Sequence, residues 1–261
     1  MAENQKQIKE LFDVKAHLGH KTSRTHPKAK KYIYTSQNGV SIIDLTKTLD
    51  LLEKSLLFVQ DLAKKNKVLL MVATKKIASA KIQDLCRKHS IPYISTKWPA
   101  GLLSNFETIT KNIKKLTQMK KDRDEGSWLK FVKHDRVKLE KQLTKLEKAY
   151  GGLIELDKLP DALFVVDIKK EKNAVKEARN IFIPILAIVD TNVDPDLVDY
   201  PIPANDDSLS SVEYIVNQVV DTYVKHKITE KADGHNTLIS SSSWANEVSR
   251  RIPIIKDHDW Y

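Results

Sequence analysis

Apolar residues in this chain fall into short continuous runs, separated by stretches in which they recur every three or four positions. The runs cover residues 68–73, 162–166 and 184–189, with shorter ones at 92–94 and 200–202. A run with no polar alternate has no side to offer water, so each predicts a strand buried on both faces. Between them, helical spacing covers residues 75–89, 170–180 and 207–225, the last turning Val212, Ile215, Val216, Val219, Val220 and Tyr223 inward. Strands and helices alternating in this way predict an α/β fold with a doubly wound parallel sheet.

Two regions depart from that rhythm. Residues 4–18 have helical spacing with a weak apolar face, and residues 19–31 have no periodicity, so they read as an unstructured basic loop or arm. Short strands at 32–34 and 40–43 flank an Asn38-Gly39 turn signal, and Asp44 marks the start of a long amphipathic helix. The second departure is residues 106–152. Phe106, Ile109, Ile113, Leu116 and Met119 form one narrow stripe; Trp128, Phe131, Val132, Leu139, Leu143, Leu146 and Tyr150 form another, with residues 122–127 as the only break. Two long helices with narrow apolar seams predict an inserted antiparallel coiled-coil hairpin. Lysines crowd its outside, including Lys114 and Lys115, which leaves little apolar surface for docking and favours a hairpin that projects. The expected organisation is a discontinuous domain (1–105 and 153–227), the hairpin (106–152) and a flexible tail (228–261) with no assigned function.

Charge sharpens the picture. The formal net charge is +10 over 261 residues, which implies a polyanionic partner, nucleic acid before an anionic membrane. No acidic residue lies between Asp13 and Asp44, whereas residues 161–221 are net acidic. One side of the protein is therefore expected to meet phosphates and another not. No stretch approaches the roughly 20 apolar residues of a membrane span, and the N-terminus has neither a signal-peptide core nor a transit-peptide composition. A soluble, cytoplasmic protein without a membrane partner is expected. The single cysteine, Cys86, excludes an intrachain disulfide framework; its helical setting favours a packing thiol over a nucleophile.

A doubly wound fold raises the question of a nucleotide enzyme. The first buried strand runs into Thr74-Lys75-Lys76 rather than a glycine-rich phosphate turn; no Walker loop, GxSxG or HExxH is present, and seven glycines are too few for close approach to a pyrophosphate. No enzyme, small-molecule substrate or required cofactor is expected. One acidic constellation remains. Asp190, Asp206 and Asp207 follow strands and fall on the carboxyl edge of the sheet, where His17 and His20 can approach them. Carboxylate oxygens and imidazole suit a structural divalent cation; the competing reading, weighted about two to one, makes Asp206 or Asp207 a helix cap and Asp190 a turn former. The basic arm is the stronger signal: Lys21, Thr22, Arg24, Lys28, Lys30 and Lys31 combine cations with a hydroxyl donor, a chemistry that follows a phosphate backbone and reaches sugar oxygens.

Many ordered motifs complete the reading. Ala16-His17-Leu18-Gly19-His20-Lys21-Thr22, Pro27-Lys28, Tyr32-Ile33-Tyr34, Ile42-Ile43-Asp44-Leu45 and Ala73-Thr74-Lys75-Lys76 are followed by Lys158-Leu159-Pro160-Asp161-Ala162-Leu163-Phe164-Val165-Val166-Asp167. Ala187-Ile188-Val189-Asp190-Thr191-Asn192 and Ile202-Pro203-Ala204-Asn205-Asp206-Asp207 close the series. Over roughly residues 11–227 the chain resembles the bacterial-type small ribosomal subunit protein S-two family. The resemblance implies a flavodoxin-like sheet with a protruding coiled-coil hairpin, binding to small-subunit ribosomal RNA near the head–body junction, contact with neighbouring ribosomal proteins, the mRNA-binding protein S-one among them, and no catalysis. Lys21, Arg24, Lys28, Lys30 and Lys31 would neutralise phosphates; Lys114 and Lys115 would meet RNA or protein. Three departures stand out: Lys15-Ala16 where the family has Gly-Val, Trp98-Pro99-Ala100-Gly101 for Trp-Leu-Gly-Gly, and Thr25-His26 where an aromatic–Asn pair precedes Pro27-Lys28. The rival functions are a nucleotide-binding enzyme of flavodoxin-like fold and a non-ribosomal adaptor.

Overall fold

In the computed structural model, which describes residues 2–227, five parallel strands carry the domain. They are β4 (Leu69–Val72), β5 (Tyr93–Ile94), β6 (Ala162–Val166), β7 (Ile185–Val189) and β8 (Tyr200–Pro203), in the order β5-β4-β6-β7-β8. Successive side chains of a strand point to opposite faces, which is why these runs are apolar throughout. Leu69, Met71, Phe164, Val166, Leu186, Ile188 and Ile202 face a core shared with α2 (Leu45–Lys64), α3 (Lys76–Lys88) and α7 (Leu209–His226). Leu70, Val72, Leu163, Val165, Ile185, Ala187 and Val189 face a second core, filled by Trp98, Leu102, the start of α4 (Phe106–Asp124) and α6 (Lys172–Asn180). Cys86 lies in the first core, fully buried, and burial pushes its thiol up to about 12. It is a packing residue.

The N-terminal region differs from the pattern read in the sequence. Helix α1 (Ala2–Asp13) ends five residues before position 18, because Lys15 takes a left-handed backbone (φ 62°) and the chain turns into β1 (Leu18–Lys21). β1 pairs antiparallel with β3 (Val40–Ile43), which also pairs with β2 (Ile33–Gln37). The stretch expected to be an unstructured arm is ordered by tight 3₁₀ turns at Thr22–Arg24 and Pro27–Tyr32. Proline sets the first residue of the second turn, and the His26 ring accepts a hydrogen bond from the Lys28 N–H at 3.3 Å. Short 3₁₀ turns carry no apolar period, so hydropathy alone does not signal them. Asp44 does cap α2, its carboxylate accepting from the Thr46 N–H at 3.1 Å.

Between β5 and β6 lie α4 and α5 (Lys133–Tyr150), packed on each other. Ile109 and Ile113 of α4 reach the second sheet core, whereas Leu116, Met119, Trp128 and Leu143 form a separate small core. Lys120 Nζ bridges to Glu147 at 2.7 Å. The break between the helices is longer than the sequence suggested. Gly126 adopts a left-handed conformation, a 3₁₀ turn follows at Ser127–Lys130, and Phe131 and Val132 are extended. Only Trp128 of that second stripe's first part is buried; Phe131 and Val132 are 42% and 67% exposed. The tail, residues 228–261, lies outside the described residues.

The loop after β5 is anchored by one carboxylate. Glu177 of α6 accepts from Trp98 Nε1 at 3.0 Å and from the N–H groups of Gly101 and Leu103 at 2.9 and 3.0 Å. Gly101, at φ 83°, makes the turn that aims those donors inward. Hydrogen bonds to a charged group contribute more than neutral ones, and half-buried donors left alone cost further. Glu177→Ala is therefore expected to destabilise the protein by about 3 kcal/mol, with Glu177→Gln losing less. Urea unfolding followed by tryptophan fluorescence reads this; a loss below about 0.5 kcal/mol would reject the anchor.

Candidate functional site

The basic segment and the carboxyl edge of the parallel sheet form one continuous surface. β1 leads the chain past the loop after β7: the His20 N–H donates to Thr191 Oγ1 at 2.9 Å and the His26 N–H to the Thr191 carbonyl at 2.8 Å. Gly19 permits this approach, since a Cβ there would lie 2.6 Å from the Thr191 methyl. The loop after β8 is fastened to the same segment, the Asn205 N–H donating to the Ala16 carbonyl at 3.0 Å and its side chain to the Lys15 carbonyl at 3.1 Å. The candidate basic residues are thus held against the sheet edge by backbone hydrogen bonds.

Their charges divide into two groups. Lys28 Nζ lies 2.9 Å from Asp194 and 3.2 Å from Asp196, and Lys31 Nζ lies 2.9 Å from Asp196. These contacts raise both ammonium groups, and hold the Asp194 and Asp196 carboxyls below the ordinary range. Lys21, Arg24 and Lys30 are exposed, as is Thr22, and among the described residues the three cations make no ion pair. They can engage phosphate directly, whereas Lys28 and Lys31 would have to share or exchange partners. Lys114 and Lys115 lie exposed on α4, apart from this surface in the sequence and in its contacts.

Behind the basic segment the edge itself is acidic. His20 Nδ1 lies 2.9 Å from Asp190 Oδ2, and Nε2 lies 3.5 Å from Asp207 Oδ2. Contact with Asp190 raises the His20 imidazole against the opposing effect of its burial. Lys75 Nζ bridges Asp206 and Asp207 at 2.7 Å each, with Asp167 at 3.6 Å. Burial works to lower Lys75, but its carboxylate partners outweigh that and raise it. Burial, together with Asp190 and Asp167, pushes Asp206 up to about 6 despite Lys75, while Lys75 draws Asp207 down. Thr74 donates to the buried Glu171, whose carboxyl is raised by burial, and Lys170 Nζ donates to the Thr74 carbonyl at 2.6 Å.

Of the residues that the sequence suggested for a cation, the structure groups His20, Asp190 and Asp207. His17 instead stacks on Phe12, ring centroids 4.3 Å apart, and burial lowers its imidazole. The expected helix cap is corrected: α7 begins after Ser208 without a side-chain cap, and it is Asn205 that accepts from the Asp207 and Ser208 N–H groups, at 2.8 and 3.2 Å. Asp190 does shape its turn, accepting from the Thr191 N–H and hydroxyl. Sequence reading missed Lys75, Asp167 and Glu171 as members of this edge. The available signal was an acid directly after a buried strand, the same position in Asp167 as in Asp190.

Where a doubly wound enzyme opens a backbone cradle for phosphates, this edge is occupied by its own ion pairs and overlaid by a basic segment. Fold and surface together define a basic α/β protein with a cationic surface segment and no glycine-rich cradle. The chain belongs to the ribosomal protein S2 family, whose pattern matches residues 11–225, a family of ribosomal structural proteins and not of enzymes. The "Small ribosomal subunit protein uS2" of Coprothermobacter proteolyticus is 38% identical over 257 residues, 97% of this chain and 94% of the relative. Among the described residues no helix is long and apolar enough to cross a membrane.

Proposed function

We propose that this chain is a structural constituent of the small ribosomal subunit, binding small-subunit rRNA through its basic segment and working in the cytoplasm on the ribosome. The observation that carries this reading is the placement of Lys21, Thr22, Arg24 and Lys30, exposed on a segment without acids that backbone hydrogen bonds fix to the sheet edge. Cations carried on a fixed backbone cost little backbone freedom on meeting a folded phosphate backbone. Lys28 and Lys31 contribute as a second layer, their Asp194 and Asp196 partners setting their position. The sheet, in a 2-1-3-4-5 order, is of flavodoxin type. The α4–α5 pair acts as a coiled-coil arm: its outer half has its own small core, so it needs no support from the sheet there, and Lys114 and Lys115 are open to RNA or neighbouring ribosomal proteins. The exposed Leu129, Phe131 and Val132 at its turn suit a protein neighbour, and the mRNA-binding protein S-one is a further candidate partner.

Sucrose-gradient sedimentation of cell lysate, with this chain probed in each fraction, tests the reading. The chain should travel with small subunits and survive a moderate salt wash. Recovery only at the top of the gradient at both low and high magnesium would reject it.

A further inference from the structure

We propose that His20, Asp190 and Asp207 bind one divalent transition-metal cation, of which zinc is the best chemical match. The three residues come from distant points in the chain, on β1 and on the loops after β7 and β8, yet one donor atom from each lies within 4.8 Å of the others. Grouped carboxylates alone would prove little. The second observation is the state of Asp190: its side chain is 1% exposed, and Oδ2 accepts no hydrogen bond from a donor placed in line with it. A buried carboxylate oxygen left in this condition is costly unless a cation meets it.

Both carboxylates are oriented so that one oxygen is occupied and the other is offered. Thr191 takes Asp190 Oδ1 with its N–H and hydroxyl, leaving Oδ2 facing His20. Lys75 takes Asp207 Oδ1 at 2.7 Å, leaving Oδ2 beside the other ring nitrogen, 3.5 Å from Nε2. Partners that fix ligand orientation in this way are the usual surroundings of a metal ligand. Donors bonded at about 2.0 Å to one tetrahedral zinc ion stand about 3.3 Å apart; His20 Nδ1 and Asp190 Oδ2, at 2.9 Å, are already that close, and Asp207, 62% exposed, has the freedom to swing to the same side of the ring. One imidazole nitrogen with two carboxylate oxygens fits zinc; calcium seeks six to eight oxygens, and magnesium keeps its waters and avoids imidazole. Three protein donors leave a fourth position for solvent. The cation would join β1 to the β7 and β8 loops and so help hold the basic segment in place. Its rival for the same position is a proton on His20, held between Asp190 and Asp207.

The test uses the purified full chain without RNA, stripped with chelator and titrated with zinc alone by calorimetry, with magnesium as the comparison. Expected are saturation at one zinc per chain, a melting midpoint that rises with zinc, and no comparable response to magnesium. Asp190→Asn and Asp207→Asn should each weaken zinc binding at least about tenfold; the second, at an exposed side chain, keeps the test decisive if the first fails to fold. Absence of saturable zinc binding would assign the position to the proton and overturn the proposal. Unchanged affinity in Asp207→Asn and His20→Gln would do the same, by placing any bound zinc elsewhere.

Discussion

Replacing Lys21, Arg24 and Lys30 together with alanine is expected to weaken attachment to small subunits stripped of this chain by roughly 100-fold, at about 1 kcal/mol for each charge-assisted phosphate contact. The three side chains are exposed, and among the described residues they make no ion pair, so their removal leaves no buried partner behind and costs the fold little. Each phosphate they neutralise releases counterions, so the slope of log affinity against log salt should become shallower by about 2 to 3. Lys28→Ala should behave differently. Its ammonium already meets Asp194 and Asp196, and deleting it leaves Asp194 without a cation and Asp196 with Lys31 alone, an added repulsion toward incoming phosphate that grows as salt falls. Binding measured across a salt series separates the two cases. An unchanged slope in the triple variant would show that this segment does not contact phosphate.

Phe164→Ala is expected to lower stability by about 3 to 5 kcal/mol and the melting midpoint by on the order of 10 °C. Phe164 is fully buried in β6, between Met71 of β4 and Leu186 of β7 in register. Its ring points into the core that α2 and α7 close, among the largest side chains with no exposed surface. Neighbours on both flanking strands are fixed by their ladders and cannot collapse into the space left behind, so the cavity penalty adds to the lost transfer energy. Leu129→Ala is the matched control: at 75% exposure it should change stability by no more than about 0.5 kcal/mol. Equal effects from the two substitutions would contradict the assignment of the core.

The rhythm of buried strands and amphipathic helices was legible from the sequence because it rests on periodicity, a local property that burial imposes on every strand and helix of the sheet. The strands at 162–166 and 40–43 coincide with β6 and β3, and the Asp44 cap was visible because capping involves only the next two residues. The chemistry of the edge was legible in part, since acids that follow buried strands must emerge at one end of a parallel sheet. The absence of a glycine-rich phosphate turn was equally local. What the sequence could not settle was which of these residues meet. His20 joins Asp190 and Asp207 while His17, three positions earlier, turns away to stack on Phe12. That choice follows from the pairing of β1 with β3 and from Thr191, which holds the His20 backbone.

Nor could charge counting distinguish Lys21, Arg24 and Lys30 from Lys28 and Lys31. Their difference arises from Asp194 and Asp196, more than 160 positions away in sequence. The order of the basic segment was hidden in part for the same reason: its own 3₁₀ turns are too short to show a period, and the hydrogen bonds that fasten them to the sheet run to Thr191. The sequence by itself determined the strands and helices of the parallel sheet, the sheet type and the sign of each region's charge, all of which depend on neighbours a few residues apart. Tertiary structure alone decided the meeting of His20 with Asp190 and Asp207, the division of the lysines and the Glu177 anchor, because each is a contact between distant segments whose geometry exists only once the sheet has brought them together.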